Sequence, residues 1–317
     1  MTRYLLALAL LTATATVTQA QQEGPTPTQA LVSFDSKAPV APTPSDVTIK
    51  VDNRATPLSG LVPVPPNGAQ VAILIDDGLR RSISLQLRDI QSFIQSLPPA
   101  TEVFIGYMQN GRIVSASGAD PGFTSDHAAA AAAVRMSVGL PGVSASPYFC
   151  LSDFVKHWPG ASERQQPQPR QAGHKARFVL MITNGVDPYN GSTSIMNQDS
   201  PYVQAAQDDA QRAGVPVYSI YYPDSGFRRG RGSFSGQSYL FQVAEATGGA
   251  SFFQGTIPPV SLAPYLKQFQ GAIAATYVAT FDVPASKNLA RIKISTTMPK
   301  TKVRAPDQVR PGNVVLQ

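Results

Sequence analysis

Val71-Ala72-Ile73-Leu74-Ile75-Asp76-Asp77-Gly78-Leu79-Arg80-Arg81 is the stretch whose reading decides the fold. Five apolar residues, three of them β-branched, stop abruptly at two carboxylates. A short, unbroken apolar run of this kind is a strand covered on both faces, as in a parallel sheet flanked by helices. In open α/β sheets, ligands sit beyond the carboxyl ends of the strands. Asp76 therefore marks the edge of the crevice in which function is sought, and two arginines, Arg80 and Arg81, follow on the same loop.

Outward from this strand, apolar runs alternate with helical patterns. A helix is expected over 82–96, capped by Ser82, with Ile83, Leu87, Ile90, Phe93, Ile94 and Leu97 on one face. Strands over 102–108 and 112–117 flank Asn110-Gly111, a strong hairpin signal, so this pair is antiparallel. An Ala-rich helix over 125–136 and a short helix over 149–158 precede a Gln/Pro-rich surface loop, 162–173. A second buried strand, 178–182, ends in Thr183-Asn184-Gly185-Val186-Asp187. A helix over 202–213 is closed by Gly214 and followed by a strand over 215–221. The pattern finishes with a helix over 238–247, closed by Gly248-Gly249, a strand over 250–253, and a helix marked by Leu262, Tyr265, Leu266 and Phe269. This is α/β: a doubly wound, mostly parallel sheet with one antiparallel edge hairpin.

The two ends read differently. Arg3, the apolar run 4–11 and Thr18-Gln19-Ala20 have the form of a secretory signal peptide over 1–20. The apolar run is far short of the ~20 residues needed to span a bilayer. Residues 21–30 are expected to be a disordered linker. Residues 31–70 and 272–317 carry strand patterns on either side of the α/β region 71–271, with Asp52-Asn53 a turn candidate. They are expected to pack together as a small β module flanking that domain.

Composition excludes several classes of function. The 317 residues carry a net charge of +6, and a leader containing Arg3 would lower it to +5. That mild, dispersed charge attracts anionic surfaces without marking a nucleic-acid reader. Cys150 is the only cysteine, so export brings no intramolecular disulfide, and it reads as a buried small hydrophobe. His127, His157 and His174 lack metal-ligand spacing. No nucleophile elbow, phosphate loop or dinucleotide fingerprint occurs. One basic run with aromatics, Gly226-Phe227-Arg228-Arg229-Gly230-Arg231-Gly232-Ser233-Phe234, could hold a polyanion, or could be an ordinary surface loop.

Two families place an acid at the end of this strand, as Asp76 stands here. The pair Asp76-Asp77 resembles the start of a two-component receiver domain, but Phe104-Ile105-Gly106-Tyr107-Met108 offers no phosphoacceptor, and an exported chain would meet no kinase. The order of elements instead resembles a von Willebrand factor type A (vWA) domain. Ala213-Gly214-Val215-Pro216-Val217-Tyr218-Ser219-Ile220 is similar to that fold's fifth strand. Ala246-Thr247-Gly248-Gly249-Ala250-Ser251-Phe252-Phe253 is similar to its closing turn. The flanking segments resemble those of secreted VWFA-related proteins typical of acidobacteria.

The resemblance implies a metal-ion-dependent adhesion site. Its ligands are an Asp and two Ser from one loop, a Thr from a second and an Asp from a third, holding Mg²⁺. Asp76 falls on the first Asp. The serine positions fall on Gly78 and Arg80, the Thr on Ser146 and the last Asp on Asn184. The implied site is therefore degenerate and is expected to hold no metal or other cofactor. Arg80 could turn inward to pair with Asp76 or lie solvated at a helix start; Asp77 and Asp187 leave a shifted, weak cation site as a third possibility.

The expected function is a secreted, non-catalytic protein, periplasmic or extracellular. It would bind an unknown protein partner through the crevice of Asp76, Asp77, Gly78, Arg80, Ser146, Asn184 and Asp187. The rival is a surface protein gripping a polyanion through Arg228, Arg229 and Arg231. Neither a membrane span nor a specific nucleic-acid target is expected.

Overall fold

A computed structural model describes residues 24–79, 83–118, 122–136, 142, 145–160, 174–187, 200–223, 231–252, 255 and 257–317, with 231–234 described by backbone only. The expected leader, Arg80, Arg81, Ser82, the loop 162–173, Arg228 and Arg229 lie outside the described residues, as does the side chain of Arg231.

Four strands come first: β1 (Thr26–Ser36), β2 (Val47–Val51), β3 (Arg54–Thr56) and β4 (Leu58–Pro63). The α/β region follows, with β5 (Ala69–Asp76), α1 (Leu87–Ser96), β6 (Glu102–Gln109), β7 (Arg112–Ser115), α2 (His127–Ala133), α3 (Pro147–Lys156) and β8 (Ala176–Thr183). It continues through α4 (Pro201–Ala213), β9 (Val217–Tyr221), α5 (Arg231–Thr247), β10 (Ser251–Phe252) and α6 (Ala263–Ala274). The chain closes with β11 (Thr276–Val283), β12 (Ala290–Thr296), β13 (Thr301–Arg304) and β14 (Gln308–Val309).

The central sheet has the order β10-β9-β8-β5-β6-β7, parallel except for β7 at its edge. Asn110 (φ 48°) and Gly111 (φ 88°) turn β6 into β7, the left-handed pair that a two-residue hairpin of matching twist requires. β5 lies between β6 and β8, and its residues alternate between two helical layers. Val71, Ile73 and Ile75 pack with Ile90 and Phe93 of α1 and Leu266 and Phe269 of α6. Ala72 and Leu74 pack with Leu151 and Phe154 of α3, Val203 of α4 and Leu240 of α5. Each fully buried aliphatic side chain contributes about 1.5–3 kcal/mol, which is why an unbroken apolar strand belongs here.

The remaining strands form two antiparallel sheets, β13-β1-β11-β4 and β14-β12-β2-β3. Their apolar faces meet: Val32, Phe34, Ala279 and Phe281 from the first, Val47, Ile49, Val51 and Ile292 from the second. Asp52 (φ 45°) and Asn53 (φ 65°) turn β2 into β3. The sandwich is joined to the central sheet through Leu31 and Val278, which belong to the α1/α6 core layer.

Several sequence boundaries move. Residues 26–30, expected as linker, open β1; Thr26 pairs with Val283, and Thr28 and Ala30 are buried. Threonine favours strands, and the Pro/Thr composition hid a partner strand some 250 residues away. The Ala-rich helix shrinks to α2, capped by Asp126, whose Oδ1 accepts from the Ala129 N–H at 2.9 Å. A 3-10 turn, Ser84–Gln86, precedes α1. α5 begins at Arg231, inside the run read as a surface loop.

Candidate functional site

Parallel register puts the ends of β5 and β8 side by side, since Ile75 is opposite Ile182. The next residue on each strand is polar: Asp76 and Thr183. The Thr183 hydroxyl donates to Asp76 Oδ2 at 2.6 Å, and the Gly78 N–H donates to Oδ1 at 2.9 Å. Charge-assisted bonds of this length are the strong class. Thr183 Oγ1 also accepts from the Gly185 N–H at 3.0 Å, so one hydroxyl fastens the first loop to the third.

Asp77 turns the other way. It is buried, and its Oδ2 accepts from the Gly142 N–H at 2.8 Å. The Gly142 carbonyl accepts from the Asn110 N–H at 3.0 Å, so this glycine ties the first loop to the hairpin. A Cβ there would stand 2.8 Å from Gln109 Cβ.

Of the other residues predicted for the crevice, Ser146 and Asn184 accept from backbone and Asp187 from a side chain, while Arg80 lies outside the described residues. Ser146 is fully buried as the N-cap of α3, and its Oγ accepts from the Tyr148 N–H at 3.3 Å. It lies in the second loop but acts there as a cap. Asn184 Oδ1 accepts from the Val186 N–H at 2.9 Å, forming its own turn. Asp187 is buried and accepts from the hydroxyl of Ser200, the N-cap of α4.

Sequence reasoning missed Thr183, Gly142, Tyr148 and Ser200. For Thr183 the signal was present: it is the first polar residue after an apolar strand, the same position that drew notice to Asp76. Tyr148 is fully buried; its hydroxyl donates to the Gly185 carbonyl at 2.8 Å, and its ring meets Tyr239 edge-on at 5.9 Å. Burial pushes its phenol well above the usual range, with Asp187, Tyr239 and Asp76 adding to the shift.

The donor set does not fit a Mg²⁺ ion held in the family's way. The positions that the resemblance assigns to serine are Gly78 and Arg80, Asp76 takes a proton donor on each oxygen, and Ser146 and Asn184 serve their own loops. Among the described residues, no three His, Cys, Asp or Glu side chains form a metal-binding group. Cys150 is buried, and desolvation pushes its thiol to about 12.

Among the described residues, the loops that follow the strands carry exposed apolar side chains. Leu85 is 83% exposed and Val260 99% exposed. Their segments adjoin, because the Gln86 side-chain amide donates to the carbonyls of Pro259 and Val260, each at 3.2 Å. Phe149, also exposed, stands at the first turn of α3 with its ring edge-on to Tyr202 at 5.9 Å.

The chain matches no protein-family model and no curated protein. Solved structures with a similar chain path include the proximal thread matrix protein 1 of the mussel byssus, at 14% identity and TM-score 0.44, covering 67% of this chain and 48% of that one. The pilus adhesin SpaC from Lactobacillus rhamnosus GG, in its open conformation, aligns at 9% identity and TM-score 0.42 over 85% of this chain and 48% of that one. The SpRpn10 VWA domain aligns at 10% identity and TM-score 0.36 over 63% and 94%. The chain spans about half the length of the first two. The fold is vWA-like. Its marks are the sheet order and the single antiparallel edge strand that follows β6. Among the described residues, no helix is long and apolar enough to cross a membrane.

Proposed function

We propose that this chain is a secreted, non-catalytic binding protein of the VWFA-related kind, with a degenerate adhesion site that takes a protein partner without a metal ion. One observation carries the reading: both oxygens of Asp76 are closed onto donors of the chain itself, Thr183 and Gly78. A carboxylate held this way organises two loops and leaves the exposed rim to make the contact. Large apolar side chains in contiguous exposed positions are the chemistry of protein docking.

The test is capture of a partner from a native envelope fraction, comparing the wild type with the Leu85→Asp/Val260→Asp variant. Both positions are exposed, so the core is untouched. The reading expects a partner that is retained in chelator and lost with the double variant. Capture abolished by chelator contradicts it. Capture that falls steeply with salt and ignores the double variant transfers binding to the basic run 226–234.

A further inference from the structure

On the outer face of the sandwich, Lys50 of β2 and Lys293 of β12 are directly opposite each other. Like charges in that position destabilise a strand pair. Lysines on edge strands are explained by protection against edge pairing, but β12 and β2 are the two central strands of the order β14-β12-β2-β3. Arg291 is exposed two residues before Lys293 on the same strand face. Among the described residues, none of these three side chains reaches a carboxylate at ion-pair distance. Neighbouring cations do: Arg304 meets Glu245 at 3.3 Å and Asp35 at 3.4 Å, and Lys302 meets Glu245 at 3.9 Å. Of the adjacent acids, Asp52 Oδ1 accepts from the Arg291 backbone N–H at 3.0 Å.

The three cations line a groove of about 390 Å³ together with Asn53, Ile292, Asp307 and Gln308. The lining holds no aromatic side chain on which a base could stack. It does hold a carboxylate and two amides, groups that exchange hydrogen bonds with hydroxyls. Asp307 stands in this lining, and its carboxyl oxygens can accept from a hydroxyl.

We propose that this groove binds an acidic polysaccharide, its anionic groups meeting Lys50, Lys293 and Arg291 and its hydroxyls meeting Asn53, Asp307 and Gln308. The site is separate from the Asp76 crevice and stands whether or not that crevice takes a protein.

The test is calorimetry of the purified chain with polygalacturonate, neutral dextran and a single-stranded oligonucleotide. Lys50→Gln/Lys293→Gln is compared with Lys37→Gln/Lys287→Gln, which removes the same charge elsewhere. Polygalacturonate alone is expected to bind the wild type. The groove variant should lose about tenfold in affinity, the upper range for two surface ion pairs, and the control variant less than about twofold. Without ligand, the groove variant should melt no lower than the wild type, because a repulsion has been removed. Equal losses in the two variants, or no loss in either, would overturn the site. An oligonucleotide that binds as tightly as polygalacturonate would overturn the ligand class, and no polygalacturonate binding would overturn both.

Discussion

At the scale of single residues, Asp76 was legible because two carboxylates cannot end a buried apolar run without a purpose. Its partner Thr183 carried the same signal and was passed over, because the family pattern directs attention to Asn184, one residue beyond the side chain that touches it. Thr183→Val keeps the shape but removes the donor to Asp76 and the acceptor for the Gly185 N–H. Hydrogen bonds to charged groups are worth about 1.5–3 kcal/mol, so this change should destabilise by about that much and Thr183→Ser by less. Asp76→Ala and Thr183→Val should be non-additive in denaturant melts, as expected for residues in direct contact. Additive effects would mean that the bond is not holding the loops. Cys150 offers an independent check. With its thiol pushed to about 12 by burial, it should resist iodoacetamide at pH 8 in the native protein and react once denatured. Rapid native labelling would place α3 wrongly.

At the scale of elements, period and turn chemistry identified the strands and helices of the α/β region; their ends were harder. The α2 boundary depended on which of several polar residues caps, and the structure chose Asp126. The α5 start was hidden because glycine and arginine composition reads as loop, whereas tertiary packing decides the helix. Gly236 shows what that packing demands: a Cβ there would stand 2.2 Å from the Asn184 carbonyl oxygen. Gly236→Ala must push α5 away from the third loop and should cost about 1–3 kcal/mol, the usual range for overpacking. Gly271 in α6 has nothing within 4 Å of its Cβ position. Gly271→Ala should instead stabilise by about 0.5–1 kcal/mol, the helix-interior difference. Thermal denaturation of the two variants checks this, and similar effects at both sites would contradict the packing described.

At the scale of the whole molecule, the sequence located strands at both ends but could not show that they pair over such distances. Strand periodicity carries no information about the partner. The two ends are one structure: β1 runs beside β11, and Tyr218 of the central sheet is fully buried near Ser33 and Thr276, burial pushing its phenol to about 12. Because Leu31 and Val278 share a core layer with α1 and α6, the sandwich and the α/β sheet should unfold together. Trp158 fluorescence and far-ultraviolet circular dichroism should give coincident denaturation curves. Two separated transitions would make the sandwich an independent unit.

The carboxylate of Asp76 is closed onto donors of the chain itself, and the crevice around it is proposed to act without a metal. Titration calorimetry with Mg²⁺ at millimolar concentration tests it most directly. Heats of dilution only are expected, for wild type and Asp76→Ala alike. Saturable Mg²⁺ binding that disappears in Asp76→Ala would contradict it.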